Sequence, residues 1–222
     1  MLINEIYLSC QGEGPDAGLP TVFVRFQGCN QSCSYCDSKY TWDTSGEILT
    51  PDEILKRISE FGTGCRRVYL TGGEPLIQSN LGRLPELLVN YSVTIATNGT
   101  LTRPVWWKAV TWDIDYKCPS SGVHVFNKSW ITSGNKNRVK FVVSDEADLE
   151  FISKKVLEFR VPLRHKICPT LIVSPMIPVL TPRDTDFHRV AWFQRVWKFC
   201  VDNNLRYSLQ MHRLVFGSQR GV

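Results

Sequence analysis

The chain has 222 residues and a formal net charge of +5, with 43% hydrophobic and 21% charged residues. These values fit one globular domain with a sizeable core and exclude a disordered, collagen-like or disulfide-scaffold chain. The mild basic excess is too small to read as a nucleic-acid footprint and is served equally well by a small anionic ligand. Met1-Leu-Ile-Asn-Glu-Ile6 has no basic n-region followed by an apolar run, and no stretch reaches the ~20 apolar residues that span a bilayer. A cytoplasmic chain with no membrane attachment and no direct nucleic-acid partner is expected.

In chain order, Thr21–Gln27 is rich in β-formers and ends at Gly28. Val68–Thr71, Val93–Thr97, Val110–Ile114, Val139–Val143 and Lys166–Val173 are further short apolar runs bounded by Gly, Asn, Asp, Ser or Pro, and each reads as a strand. Between them lie helix patterns. Thr50-Pro51-Asp52-Glu53 offers an N-cap, a first-turn proline and a capping-box glutamate, followed by Ile54, Ile58 and Phe61 on one face. Leu149, Ile152, Val156 and Phe159 predict a second helix. A third is predicted from Thr181-Pro182 with Val190, Phe193, Trp197 and Cys200 on one face, and a last strand over Tyr207–Met211. Strands alternating with helices imply a parallel sheet with active residues at its C-terminal strand ends. Thr102 to Arg138 lacks a long helix period, so a barrel with some helices lost is expected. The tail residues Arg206, His212, Arg213 and Arg220 read as a solvated basic face.

The chemistry is concentrated in Cys29-Asn-Gln-Ser-Cys33-Ser-Tyr-Cys36. A structural zinc site closes with four protein ligands, and no fourth cysteine or histidine lies nearby. Three thiolates suit a 4Fe–4S cluster, holding three irons and leaving one open to an outside ligand. Cys10, Cys65, Cys118, Cys168 and Cys200 are scattered and read as small buried hydrophobes in a reducing compartment. The C-x3-C-x2-C spacing resembles the cluster motif of the radical S-adenosylmethionine (SAM) enzymes, in which SAM chelates the open iron and is split to a 5′-deoxyadenosyl radical.

Two later stretches extend the resemblance. Thr71-Gly-Gly-Glu74-Pro75 follows a strand, with glycines that let backbone approach a ligand and a carboxylate suited to an ammonium; a plain turn is the alternative. It is similar to the GGEP motif of that superfamily, where backbone and Glu hold the SAM amino group. Thr97-Asn98-Gly99-Thr100 also follows a strand and reads as a turn with a residue at positive φ. The superfamily implies a partial parallel (β/α) barrel with about six core strands and a reduced set of helices.

Upstream, Gln11-Gly12-Glu13-Gly14 presents an amide and a carboxylate that suit the polar edge of a heterocycle. Arg25 is the only charge in the strand Val22–Phe26; a guanidinium there wants a carboxylate, either from a ligand or in an internal ion pair. With Asp37-Ser38 directly after Cys36, the set resembles the 7-carboxy-7-deazaguanine synthase family over nearly the whole chain. That resemblance implies a radical SAM lyase that rearranges 6-carboxy-5,6,7,8-tetrahydropterin to 7-carboxy-7-deazaguanine with loss of ammonia. It implies a 4Fe–4S cluster on Cys29, Cys33 and Cys36, SAM, and Mg2+ on the Ser38 hydroxyl. By position, Tyr35, Asp37, Gly73, Glu74, Asp115, Tyr116, Lys117, Ser174 and Pro175 match SAM contacts. Gln11, Gly12, Glu13, Arg25, Thr71, His212 and Val222 match substrate contacts. It further implies one domain over 1–222, with a substrate-contact segment 1–20, a SAM core 21–180 and a C-terminal helix and strand 181–222. A flavodoxin or ferredoxin electron donor and a homodimer follow from the same source. Ala96, Asp115-Tyr116 and Ser174 depart from the family's Glu, Ser-Pro and Gln. A glycyl-radical activating protein shares the cysteine spacing, and a zinc-binding non-enzyme is a remoter alternative.

Overall fold

The computed structural model describes residues 1–62, 64–106, 108, 110–131, 136–160, 169–177 and 186–222. Strand β1 (Leu2–Cys10) pairs antiparallel with β2 (Pro20–Phe26) and, on its other side, with the two-residue β3 (Glu47–Ile48). Helix α1 (Pro51–Ser59) leads to β4 (Arg67–Gly72), and the short α2 (Arg83–Leu87) to β5 (Ser92–Thr97). Then come β6 (Thr111–Asp115), β7 (Arg138–Val143), α3 (Glu146–Arg160), β8 (Thr170–Pro175), α4 (Asp186–Asp202), β9 (Arg206–Tyr207) and α5 (Met211–Phe216). The sheet order is β3-β1-β2-β4-β5-β6-β7-β8-β9, parallel from β2 to β9. β2, β4, β5, β6, β7 and β8 are the six parallel core strands expected of an unclosed barrel.

Period-two alternation gives this sheet two unlike faces. Val24, Leu70, Ile95, Ile114, Val139 and Phe141 are fully buried on the face that the helices cover. Arg25, Thr71, Asp113, Asp115, Arg138 and Lys140 are their neighbours in sequence and point to the opposite, interior face. The helices form for the reasons visible in their sequences. Thr50 caps α1 with a hydrogen bond from Glu53 N at 3.2 Å, Glu53 accepts from Thr50 N at 2.7 Å, and Ile54 and Ile58 are buried. On α3, Leu149, Ile152, Val156 and Phe159 form the buried stripe. No α-helix lies between β6 and β7 among the described residues; Pro119–Ser121 and Lys128–Trp130 make single 3-10 turns there.

Several expectations are corrected. β1 has no counterpart in the sequence reading, because a bulge between Ile3 and Glu5 breaks its alternation. On α4 the buried residues are Val196, Phe199 and Cys200, with Trp192 and the expected Phe193 half-buried; Val190 and Trp197 are exposed, and Trp197 packs edge-on against Tyr207 at the sheet edge. The last strand is only Arg206–Tyr207, and Met211 begins α5. Cys10 is exposed, whereas Cys65, Cys118 and Cys200 are buried as expected. Arg213 is buried rather than solvated. Lys166 to Cys168 and the predicted helix start at Thr181-Pro182 lie outside the described residues.

Candidate functional site

One cavity of about 260 Å³ occupies the interior face of the barrel. Its first wall is the cysteine loop after β2. Cys29, Cys33 and Cys36 all line the cavity. Burial pushes their thiols up and Lys117 pulls each down.

Glycines decide how this wall is assembled. A Cβ on Gly72, at φ +124, would strike the Phe26 backbone, and one on Gly73 would strike the Gly28 carbonyl oxygen. The space they leave is used by backbone: Gly73 N donates to Phe26 O at 3.0 Å and Glu74 N to Gly28 O at 2.9 Å. The two glycines thus bring the end of β4 against the start of the cysteine loop. Glu74 is completely buried and accepts three bonds, from Leu76 N at 3.0 Å, Thr97 Oγ1 at 2.8 Å and Asn98 N at 2.7 Å. Asn98 in turn donates to Asn30 Oδ1 at 2.7 Å. On the far side, Ser34 N donates to Ser121 O and Ser34 Oγ to Ser120 O. The cysteine loop is therefore clamped from three turns.

The opposite wall is built from charge. Lys140 on β7 sits between Glu13, at 2.5 Å, and Asp115, at 3.2 Å, and Asp115 also pairs with Lys117 at 3.2 Å. Burial opposes charge on Asp115, but Lys117 and Lys140 outweigh it and hold its carboxyl below the ordinary range. The same carboxylate holds the Lys117 and Lys140 ammonium groups well above theirs, against burial. Arg25 gives its Nε to Glu5 at 2.6 Å and one terminal nitrogen to Tyr7 at 2.7 Å, so the internal ion pair is realised. Its other terminal nitrogen reaches the Ser38 hydroxyl only at 3.4 Å, and Arg25 lines the cavity. His212 stands over the mouth, 3.7 Å from Asp37 and 4.0 Å from Glu13, and its ring occupies the space where Gly12 has no side chain.

Of the residues singled out in the sequence, Gln11, Gly12, Glu13, Arg25, Thr71, His212 and Val222 line this cavity, as do Tyr35, Asp37, Ser38, Gly73, Asp115 and Lys117. Four do not. Tyr116 stacks on Phe126 at 3.8 Å within the α3-facing core, because on a strand the residue after an inward Asp115 points outward. Glu74 is turned away from the cavity by its three donors. Ser174 and Pro175 are completely or nearly buried, and the Ser174 hydroxyl has no hydrogen-bond partner. Lys140, Gln210, Tyr7 and Glu5 were missed. The signal for Lys140 was present: Asp113-Ile-Asp115 and Arg138-Val-Lys140 alternate charge with apolar residues, and parallel register sets them face to face.

The donor set fits a cluster. Among the described residues, no three His, Cys, Asp or Glu side chains converge as a cage for one metal ion. A cluster does not require that, since its irons sit at separate corners and each takes its own thiolate. Gln31, between Cys29 and Cys33, also lines the cavity with its side-chain N–H buried and without a partner, a donor suited to a sulfur-rich ligand.

Comparison with known proteins gives the family and the fold. The Radical SAM superfamily pattern matches residues 23–111. A 7-carboxy-7-deazaguanine synthase of Clostridium acetobutylicum is 33% identical over 99% of this chain and 98% of its own length. One from Koribacter versatilis is 39% identical over 68% of each chain. The crystal structure of QueE from Escherichia coli superposes with a TM-score of 0.73 at 25% identity, covering 95% of this chain and 94% of that one.

Proposed function

The chain belongs to the 7-carboxy-7-deazaguanine synthase family, and from that premise we propose that it is a radical SAM lyase converting 6-carboxy-5,6,7,8-tetrahydropterin to 7-carboxy-7-deazaguanine with release of ammonia. The observation that carries this reading is the cavity that joins the three-cysteine wall to a wall presenting Glu13, Arg25, Ser38 and His212. Cys29, Cys33 and Cys36 hold the cluster, with Gly73, Lys117 and the turn braced by Glu74 beside it. When bound, cluster and SAM supply the one-electron chemistry that takes a hydrogen atom from a substrate carbon.

The remaining tasks fall to the chain itself. Gln11 and Glu13 address the polar edge of the ring, and Gly12 lets His212 close over it. The least committed nitrogen of Arg25 takes the substrate carboxylate. Ser38 serves as the Mg2+ ligand. A cation held there would have the Asp37 carboxylate at hand, whose Oδ1 accepts from the Ser38 hydroxyl at 3.0 Å, and would favour a substrate that brings a carboxylate of its own. Water and substrate oxygens would complete the shell of a Mg2+ held there. Electrons enter from a small flavodoxin or ferredoxin; Asn30, Ser32 and Ser34 on the cysteine loop are exposed for such an approach. A homodimer is the assembly proposed with this reading.

Anaerobic incubation of reconstituted protein with SAM, dithionite, Mg2+ and the carboxytetrahydropterin should give the deazapurine by mass spectrometry. SAM cleavage without that product would leave the radical chemistry standing and remove the substrate assignment.

A further inference from the structure

The interior face carries two rungs of one design. Asp113 and Asp115 on β6 stand in register with Arg138 and Lys140 on β7. In one rung, Arg138 spans Asp113 at 3.3 Å and Asp16 at 2.6 Å. In the other, Lys140 spans Asp115 at 3.2 Å and Glu13 at 2.5 Å. Asp16 and Glu13 both lie on the loop after β1, so each rung straps that loop across the barrel. Gly14 N to Ser208 Oγ at 2.9 Å and Met211 N to Gly12 O at 2.9 Å strap it further. The rungs differ in one respect. Glu13, Asp115 and Lys140 line the cavity, whereas Asp16, Asp113 and Arg138 do not.

Lys140 takes only one oxygen of Glu13, Oε2. The other, Oε1, receives a long bond from Gln210 Nε2 at 3.3 Å and lies 4.0 Å from His212 Nε2. One oxygen is thus committed to a cation while its twin keeps acceptor capacity on the cavity side. An ammonium held by Glu13 alone would be free to swing about that single contact; Asp115 on the opposite side fixes it.

We propose that Lys140 is a positioning residue for substrate recognition: with Asp115 behind it, it fixes Glu13 so that Oε1 accepts the ring N–H groups of the bound heterocycle. The proposal rests on the pterin reading above. It separates two jobs that the rungs otherwise share, strapping the loop and aiming a carboxylate. Removing Lys140 leaves Glu13 and Asp115 as facing carboxylates with no cation between them, which displaces Glu13 from its aim.

The test compares Lys140→Met with Arg138→Met in the reconstituted enzyme, each checked for iron content and melting temperature. Both should melt lower, because each loses one strap. Only Lys140→Met should raise KM for the carboxytetrahydropterin, by about tenfold or more, with a smaller change in kcat. Lys140→Arg should recover most of that loss. Asp115→Asn, a milder change that keeps the volume, should raise KM by less, and it serves where Lys140→Met fails to fold. Equal KM values in Lys140→Met and Arg138→Met overturn the proposal, as does an Asp115→Asn enzyme with wild-type KM where Lys140→Met is not folded. A wild-type protein that makes no deazapurine overturns the pterin reading and this proposal with it; wild-type turnover without the KM difference overturns this proposal alone.

Discussion

The two walls of the cavity are built by different rules. The cysteine wall comes from three motifs, each contiguous in the chain, at the ends of β2, β4 and β5, held by backbone hydrogen bonds that Gly72 and Gly73 permit and by the buried Glu74 carboxylate that ties β4 to β5. The charged wall gathers Glu13 from the loop after β1, Asp115 and Lys140 from strands, and Gln210 and His212 from the C-terminal region, held by ion pairs. Backbone hydrogen bonds fix a geometry that is insensitive to pH and salt. Ion pairs in a partly buried wall can instead be retuned by one substitution. The difference teaches that one wall takes its shape from the chain's own backbone and one buried carboxylate, while the other depends on a few charged side chains that single substitutions reach.

The sharpest way to break this contrast is at the cysteines. Cys33→Ala should abolish cluster formation, since two thiolates do not hold the site, and iron analysis with SAM cleavage would show it; a variant that still cleaved SAM would contradict the assignment. Gly73→Ala should come next. Its methyl has no room against the Gly28 carbonyl, and the loss should be about 3 kcal/mol or more in denaturant unfolding, together with poor iron loading. An alanine enzyme with normal stability would mean that the turn can reseat.

Glu74 tests whether the cysteine wall is as insensitive to pH as its backbone bonds imply. Burial holds the Glu74 carboxyl up at about 7 against an ordinary 4.5, despite its three donors. The folded chain then keeps a proton that the unfolded chain has released. This group's contribution is fully present below pH 4.5 and is lost as pH rises through about 7, a change of roughly 3 kcal/mol. Comparing melting of wild type and Glu74→Gln from pH 5 to pH 8 isolates it, because the gap between them should shift with pH. A constant gap would mean the carboxylate is ionised throughout.

The smallest effects separate Arg25 from its partner. Arg25→Ala should raise KM for the substrate about tenfold while sparing the cluster. Glu5→Gln, which cuts the 2.6 Å pair but leaves the guanidinium, should lower stability by about 1 kcal/mol and change KM little. Loss of the cluster in Arg25→Ala would make that residue structural.

The sequence by itself determined the six core strands, the capped α1, the buried stripe of α3 and nearly all of the cysteine wall. Those features are local: period-two and 3.6 patterns, a capping box, and motifs whose members are adjacent in the chain. Tertiary structure decided the rest. Positional matching placed Tyr116 beside its neighbours, whereas strand alternation turns it into the aromatic core. Glu74 reads as a ligand for an ammonium until its donors from β5 are seen. Arg25 reads as a lone charge until a bulged strand brings Glu5 and Tyr7 beside it. Lys140 is one lysine in an apolar run, and its meaning lies in Glu13, 127 residues earlier in the chain. A hydrogen bond or ion pair depends on distance in space, and only the closing of the sheet toward a barrel makes such residues neighbours.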